Sequence, residues 1–180
     1  AHLLMLGLPG GAYIYQGDEL GLSEITDIAP DARQDPIFTR SDGAVIGRDG
    51  CRIPLPWAEH GATFGFSPDP ASAEPWLPLP ADWGFLSVER QEQDPGSPLT
   101  LIRDVLSIRA SHPGFADASF EWRPSGPQVL HFARAHGVGV IVNLGEEPVA
   151  MPEHTQIVVT SQPIVDSVLP PDAACWYATG

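Results

Sequence analysis

The segment that decides the interpretation is Gly7-Leu8-Pro9-Gly10-Gly11-Ala12-Tyr13-Ile14-Tyr15-Gln16-Gly17-Asp18-Glu19-Leu20-Gly21-Leu22. Its apolar and aromatic run, residues 12–15, has glycine on both sides, as is typical of a short strand buried on both faces of a parallel sheet. Residues 2–6 before it, His-Leu-Leu-Met-Leu, predict the last turns of an apolar helix that Gly7 and Pro9 stop. Helix, short loop, buried strand and a polar loop with two carboxylates together predict one unit of an α/β barrel, with the loop on the face where such barrels carry out chemistry.

The composition excludes several classes of partner. With 43% hydrophobic residues the 180-residue chain can bury a core, yet no apolar stretch approaches the roughly 20 residues of a membrane span. The net charge is −14, from 23 acidic residues against nine basic ones, all of them arginine. Because so acidic a chain repels phosphate backbones, we expect neither nucleic acid nor a membrane as partner and assign the charge to a solvated surface.

The cysteines and the first residues bear on the location and extent of the protein. Cys51 and Cys175 lie far apart without metal-ligand spacing, which favours free thiols in a reducing compartment and therefore a cytoplasmic protein. No signal peptide is visible. The chain starts at Ala1 inside an apparent helix and lacks an initiator methionine, so we expect it to be part of a larger protein.

Residues 23–96 have an unusual composition for a packed domain. They are rich in proline, glycine and acidic residues and contain isolated aromatic side chains: Phe38, Trp57, Phe64, Phe66, Trp76, Trp83 and Phe85. Such aromatics argue against disorder, and loops of this length are normally functional. We therefore predict a long, ordered excursion after the strand, with short helical turns near residues 18–20 and 80–83.

A helix is predicted to follow this excursion. Ser97 is a good N-cap, Pro98 suits the first helical position, and residues 111–114 contain the stop signals His-Pro-Gly. One face of the helix is predicted from the spacing of five residues: Leu99, Ile102, Val105, Leu106 and Arg109.

After Gly114 the pattern changes from helical to alternating. Short strands are predicted over five ranges, namely Ser119–Arg123, Val129–Ala135, Val138–Asn143, Gln156–Thr160 and Cys175–Thr179. The turn signal His136-Gly137 predicts a hairpin between the second and third of them. We therefore expect an antiparallel sheet or sandwich, with a domain boundary between residues 115 and 119.

The opening segment resembles a known family. Its pattern Gly-x-Pro-Gly-x-x-Tyr-x-Tyr-x-Gly-Asp-Glu-Leu-Gly looks like the eighth barrel strand of the α-amylase family of glycoside hydrolases, in the α-glucosidase and oligo-1,6-glucosidase form. The resemblance implies a fold class of α/β plus all-β. Residues 1–114 would supply the last strand, long loop and closing helix of a (β/α)8 catalytic barrel, and residues 115–180 a small antiparallel β-sandwich domain.

Two adjacent carboxylates, Asp18 and Glu19, are the first candidates for catalysis. Glycoside hydrolysis needs two carboxylates that flank one bond, about 5–5.5 Å apart in retaining enzymes. Adjacent side chains rarely converge in this way, so we favour a hydrogen bond from one of them to backbone or arginine in the neighbouring loops, and a role in supporting the site. The resemblance places the nucleophile, the acid/base and the transition-state-stabilising aspartate on earlier strands, so no catalytic residue is assigned here and the chain alone is expected to be inactive.

The second candidate is Gly47-Arg48-Asp49-Gly50-Cys51-Arg52-Ile53-Pro54-Leu55-Pro56-Trp57, which resembles the Arg-x-Pro-x-x-Trp segment of α-glucosidases. The resemblance implies that Arg52 borders the sugar site, and a guanidinium offers five fixed donors for hydroxyls or carboxylates. A salt bridge inside the loop is the alternative. Trp57 is interpreted as a loop anchor that supports the site, in preference to a sugar-stacking ring. Leu55-Pro56 replaces the usual Met-Gln of oligo-1,6-glucosidases, which leaves the substrate preference open.

The function implied by the resemblance is retaining, exo-acting cleavage of terminal α-glucosidic bonds in short oligosaccharides, without a cofactor. A trehalose synthase or a sucrose-acting relative remains an alternative. A non-catalytic carbohydrate-binding module and an inactive fragment also remain open, because fold resemblance does not decide function. The six histidines show no metal-ligand spacing, and there is no Gly-x-Ser-x-Gly, phosphate-loop or Rossmann motif.

Overall fold

The computed structural model describes residues 1–68 and 74–179. These residues form two compact units. The first, here called the split unit, combines Ala1–Tyr13 with Leu101–Gly180, and the second, the central unit, is Ile14–Thr100.

The split unit is built on an antiparallel sheet. Its strands lie in the order β1-β2-β3-β7-β5, and β4 pairs with β6 in a separate two-stranded sheet. The strands are β1 Glu121–Trp122, β2 Val129–Ala133, β3 Val138–Asn143, β4 Val149–Ala150, β5 Thr155–Thr160, β6 Val168–Leu169 and β7 Ala173–Thr179. The predicted antiparallel sheet is thus confirmed, whereas β4 and β6 were missed because two residues are too few to show an alternating pattern.

The β2–β3 hairpin is the predicted one. His136 and Gly137 at its turn both have positive φ, 55° and 71°. This is the left-handed conformation that two-residue hairpin turns require, and glycine adopts it without steric cost. The His-Gly pair therefore fixes the register in which β2 and β3 meet.

Both faces of the sheet are covered, and β3 is buried along its whole length. On one face Trp176 donates from its indole Nε1 to the carbonyl of Leu3 at 2.8 Å, which places the helix α1 (His2–Gly7) against β7. On the other face Cys175 and Tyr177 pack in a buried cluster with Ile141, Met151, Leu169 and Ala173. This burial raises the pKa of the Cys175 thiol to about 12, so the thiol stays protonated and unreactive.

His131 of β2 contacts Tyr177 of β7. Its imidazole is half-buried, and its Nε2 lies 2.6 Å from the hydroxyl of Tyr177. The Tyr177 ring covers Gly139, the residue paired with it in register, where an added Cβ would lie 2.0 Å from the ring. Desolvation, aided by the charge of Arg123, lowers the pKa of His131 below its usual value.

Two arginines bind the backbone at the end of α1. Arg109 donates to the carbonyls of Leu6, Leu8 (3.0 Å) and Gly10 (2.7 Å). Arg134 is almost completely buried and donates to four further carbonyls, those of Gly7, Phe115, Asp117 and Ser119. Carbonyls at a helix C-terminus have no partner within the helix, and these guanidinium groups supply one.

The strand prediction for residues 12–15 was wrong for this chain. No strand forms there, and the Tyr13 side chain is 92% exposed. Neither of the two sheets of the described residues includes this segment as a strand. A β-strand exists only through pairing with a neighbour, and this run has no strand partner here.

The central unit contains little regular structure. Its helices are α2 Pro36–Arg40 and α3 Val88–Gln91, with 3-10 turns at Asp18–Leu20, Pro30–Ala32, Asp49–Cys51 and Trp83–Leu86. The predicted turn at residues 18–20 is confirmed, and the one predicted at residues 80–83 begins three residues later. A cluster of Ile28, Ile53, Leu77 and Trp83 forms its buried core.

The buried amide of Gln91 connects three parts of the central unit. It donates to the carbonyls of Leu20 and Leu86 and accepts from Leu99 N. Leu99 belongs to the predicted helix, α4, which spans Pro98–Ser111 and is followed by α5, Pro113–Ala116.

The Ser97 cap of α4 is confirmed, because Ser97 Oγ accepts from Thr100 N at 3.2 Å. Leu106 was predicted on the buried face of α4, but its side chain is 41% exposed.

Among the described residues, no helix has both the length and the apolar character needed to cross a bilayer.

Replacing Arg134 tests the importance of these carbonyl contacts. Arg134→Met keeps much of the side-chain volume but leaves buried carbonyls without donors, so we expect a loss of about 3 kcal/mol or more in the free energy of unfolding. Arg123→Met is the control, because Arg123 is exposed and its ion pair with Glu121 spans 3.4 Å. Urea denaturation should show a change within about 0.5 kcal/mol for this control. Equal effects of the two variants would contradict the role assigned to Arg134.

Candidate functional site

The candidate site begins with a buried carboxylate. Asp49 is 1% exposed, and its Oδ2 accepts hydrogen bonds from the backbone amides of Gln34 and Asp35, both at 2.9 Å. The next residue, Gly50, accepts from Ile25 N at 3.2 Å, and an added Cβ would lie only 2.1 Å from the Ile25 carbonyl oxygen. Two separate stretches of the excursion therefore meet at residues 49–50, where only glycine fits beside the aspartate.

Asp35 continues this network. Its Oδ1 accepts from Ile37 N at 3.1 Å and caps α2, while its Oδ2 accepts from Arg48 N at 3.0 Å and from Arg52 Nη1 at 3.1 Å. The amides of Ile37 and Arg48, and then the Arg52 charge, lower the pKa of this carboxyl. Because the lowered pKa belongs to the folded state, the stabilisation is complete above the ordinary aspartate pKa and is lost as the pH falls below it.

Arg52 has two kinds of contact in the structure. It forms the ion pair with Asp35 inside the loop, and it also lines a cavity of about 520 Å³. This volume lies within the usual range of small-molecule sites. The cavity is lined by Gln34, Asp49, Arg52, Pro54, Phe66, Ser67, Glu74, Pro75, Trp76 and Leu77.

The walls of this cavity are fixed by the core of the central unit. Arg52 precedes Ile53, and Trp76 precedes Leu77, and both apolar residues belong to the same buried cluster. Trp76 itself is 84% exposed. In the sequence Trp76 is an isolated aromatic residue, and nothing in the spacing of so irregular a segment indicates that it shares a cavity with Arg52.

Asp18 and Glu19 accept hydrogen bonds from backbone amides. Asp18 Oδ2 accepts from Tyr15 N at 3.2 Å, and Glu19 Oε2 accepts from Gly17 N at 2.8 Å. Both carboxylates thus bind amides of their own turn, where Gly17 has a φ of 92°. Neither side chain is among the residues that line the cavity at Arg52.

Trp57 is fixed through its backbone. Its amide donates to the Phe64 carbonyl at 2.7 Å, and its carbonyl accepts from Glu89 N at 3.0 Å. The indole ring is 52% exposed and does not line the cavity of Arg52.

In the described part of the chain, no group of three or more His, Cys, Asp or Glu side chains is arranged to bind a metal ion. Cys51 and Cys175 are both free thiols in this structure.

Comparisons with known proteins give a consistent result. Residues 1–118 match the Alpha-amylase family model, which describes the alpha amylase catalytic domain. A probable alpha-glucosidase of Rhizobium meliloti (strain 1021) is 36% identical over 147 residues, which are 80% of this chain and 26% of the relative. Trehalose synthase/amylase TreS of Mycobacterium tuberculosis (strain ATCC 25618 / H37Rv) is 32% identical over 139 residues, 73% of this chain and 20% of the relative.

The fold is also that of part of a solved enzyme. The crystal structure of the alpha-glucosyl transfer enzyme XgtA superposes with a TM-score of 0.78 and 29% identity, over 99% of this chain and 35% of the enzyme. The chain therefore spans between a fifth and about a third of the length of these relatives.

Removal of the Asp49 carboxylate tests the framework of the site. Asp49→Ala leaves the amides of Gln34 and Asp35 buried without an acceptor, which costs about 1–3 kcal/mol for each unsatisfied group. We expect a lower urea midpoint and faster proteolysis within residues 34–52. Asp27→Ala, at an exposed position of the same unit, is the matched control and should behave like the wild type. Unchanged proteolysis of Asp49→Ala would show that these two hydrogen bonds do not order the segment.

Proposed function

The chain belongs to the alpha-amylase family, and we propose from this premise that it is the C-terminal portion of a retaining, exo-acting α-glucosidase. The whole protein would hydrolyse terminal α-glucosidic bonds of short oligosaccharides. The observation that carries the proposal is the position of Arg52: the residue that the family resemblance assigns to the sugar site lies on the wall of a ligand-sized cavity.

The proposed domain division follows the sequence pattern. Residues 1–114 would contribute the last strand, the long loop and the closing helix of a (β/α)8 barrel, and residues 115–180 a β-sandwich domain. The run 12–15, in which Tyr13 and Tyr15 are exposed, supports this division. An apolar segment with glycines on both sides has the composition of a buried strand, yet it pairs with no strand among the described residues. A cytoplasmic location is proposed from the two free thiols.

Arg52 would bind the substrate. Its ion pair with Asp35 uses Nη1, and the planar guanidinium has further N–H donors suited to hydroxyl oxygens or to a catalytic carboxylate. Because Asp35 holds one edge of the guanidinium, little side-chain freedom is lost when the other edge binds a sugar. Asp18, Glu19 and Trp57 would support the site by fixing the loops around it.

Catalysis would need residues outside this chain. The nucleophile and the acid/base must approach the same glycosidic bond from two sides, and the family resemblance places both on earlier barrel strands. The chain alone is therefore proposed to be inactive towards glycosides, with an oligosaccharide as the substrate of the whole protein.

A second candidate function differs only in the acceptor. Two of the relatives are named as a trehalose synthase/amylase and an alpha-glucosyl transfer enzyme. In this alternative the whole protein would pass a glucosyl group to a second sugar instead of water. Product analysis separates the candidates, because hydrolysis releases glucose whereas transfer yields a new disaccharide or trisaccharide.

The test is the substitution Arg52→Lys in the longer protein that the proposal describes. Lysine keeps the positive charge but lacks the planar fork, so kcat/KM per folded molecule should fall roughly ten- to a hundred-fold, as expected for one lost charge-assisted hydrogen bond of about 1.5–3 kcal/mol. The purified chain alone should release no p-nitrophenol from a p-nitrophenyl α-glucoside above a heat-killed control.

Arg90→Lys is the matched control for this experiment. Arg90 forms an ion pair with Glu59 at the same distance of 3.1 Å but does not line the cavity of Arg52. Its kcat/KM should remain within about two-fold of the wild type. If Arg52→Lys lowers the melting temperature while kcat/KM per folded molecule is unchanged, Arg52 is a structural residue and the site assignment is wrong. Cleavage of the α-glucoside by the chain alone would refute its proposed dependence on the rest of a barrel.

A further inference from the structure

We propose that the outer edge of β1 is a self-association surface, on which β1 of a second copy of this chain pairs antiparallel, with Trp122 of each copy facing the other. This surface is separate from the candidate sugar site, because β1 belongs to the split unit and Arg52 to the central unit. Three features carry the proposal: the free edge of the strand, the aromatic side chain exposed on it and its pattern of charge.

β1 is an edge strand. It lies at one end of the strand order β1-β2-β3-β7-β5, so that among the described residues only one side of it pairs with a strand. On that side Arg123 N donates to the His131 carbonyl at 2.9 Å. Because the backbone groups of successive residues in a strand point to opposite edges, the N–H and C=O of Trp122 point outward. An edge that presents its backbone groups in this way can pair with another strand.

Trp122 exposes a large apolar surface at this edge. Its side chain is 58% exposed, although its ring packs edge-to-face against Phe120 and Phe132, with ring centroids 5.0 and 5.8 Å away. The two phenylalanine rings also contact each other, at 4.9 Å. The indole is therefore held in place while more than half of it remains open to water. An antiparallel second copy would place another indole beside it, and such cross-strand aromatic pairs stabilise sheets.

The charges beside Trp122 are self-complementary. Glu121 and Arg123 flank it, so when Trp122 of two copies lie opposite each other, Glu121 of each copy lies opposite Arg123 of the other. Both side chains are available for this pairing, since they are 68% and 47% exposed and their ion pair within one chain spans 3.4 Å. Parallel pairing in the same register would instead place like charges side by side. The sequence Glu-Trp-Arg thus favours antiparallel pairing with itself.

The next residues limit the extent of this pairing. Pro124 would direct its backbone nitrogen to the same edge as Trp122, but proline has no N–H to donate, so the shared ladder ends there. An interface this short buries less than the roughly 1,200 Å² of a standard one, so we expect a weak dimer with a Kd on the order of 10–100 µM. Because both copies use the same edge, the association closes at two copies.

The opposite edge of the sheet is less suited to this role. β5 shows a register shift between Ile157 and Val159 in its pairing with β7. Such an irregularity bends the strand and interrupts its ladder. β5 also contains no charged side chain, so no charge pattern selects a partner or a direction there. These differences assign the association to β1.

Charge reversal in the full 180-residue chain tests the pairing. Sedimentation velocity over a concentration series at low ionic strength measures dimerisation of the wild type, Glu121→Arg, Arg123→Glu and the double variant with both changes. Arg90→Glu is the matched control. Arg90 also belongs to an ion pair, with Glu59 at 3.1 Å, and its reversal changes the net charge by the same amount as Arg123→Glu. Thermal melting by circular dichroism checks that each variant is folded.

We expect the wild type to dimerise reversibly and each single reversal at β1 to weaken dimerisation at least about ten-fold, because like charges then face each other at two places. A 1:1 mixture of Glu121→Arg and Arg123→Glu should recover the association, since a basic edge then meets an acidic one. The double variant and Arg90→Glu should dimerise like the wild type. The Trp122 amide should exchange its hydrogen more slowly as the wild-type concentration rises.

Several results would overturn the proposal. One is a wild type that remains monomeric at concentrations about ten-fold above the expected Kd. Another is a mixture of the two single variants that associates no better than either variant alone. Dimerisation that survives both single reversals would place the contact on another surface, such as the exposed run 12–15. Equal weakening by Arg90→Glu would assign the effect to net charge and would equally contradict pairing at β1.

Discussion

The hydrogen bonds from the amides of Gln34 and Asp35 to the buried carboxylate of Asp49 are the constraint on which the candidate site depends. A segment with little helix and no strand must find partners for its backbone N–H groups elsewhere. Here aspartate side chains supply them, since Asp35 then accepts from Ile37, Arg48 and Arg52. Asp49 holds the amide of Asp35, and Asp35 in turn binds Arg52. We therefore expect loss of the Asp49 carboxylate to change the orientation of Arg52.

The two units use side chains of opposite charge to form hydrogen bonds with backbone groups that lack a partner in a helix or strand. In the central unit carboxylates accept from orphan amides, as Asp18 and Glu19 also do at their own turn. In the split unit Arg109 and Arg134 donate to carbonyls at the end of α1. The acidic composition, which was assigned to a solvated surface, thus has an internal structural use as well.

Sequence patterns predicted the regular elements and much less of the site. The bounds of β3 and the start of α4 were predicted correctly, because alternating valines, a His-Gly turn and a Ser-Pro cap are local signals. The strand at residues 12–15 was wrong, because pairing depends on neighbours that the pattern cannot supply. The motif around Arg52 indicated one wall of the cavity, but Trp76 and Glu74 come together with it only through long-range packing of an irregular segment.

The most direct test of the carboxylate framework is amide hydrogen exchange in the unmodified chain at neutral pH. If Asp49 and Asp35 order the segment, the amides of Gln34, Asp35 and Arg48 should exchange at least about a hundred-fold more slowly than unprotected amides, although all three lie outside the helices and strands. Exchange at the rate of an unprotected peptide would contradict the framework. It would also remove the structural basis for placing Arg52 at a sugar site.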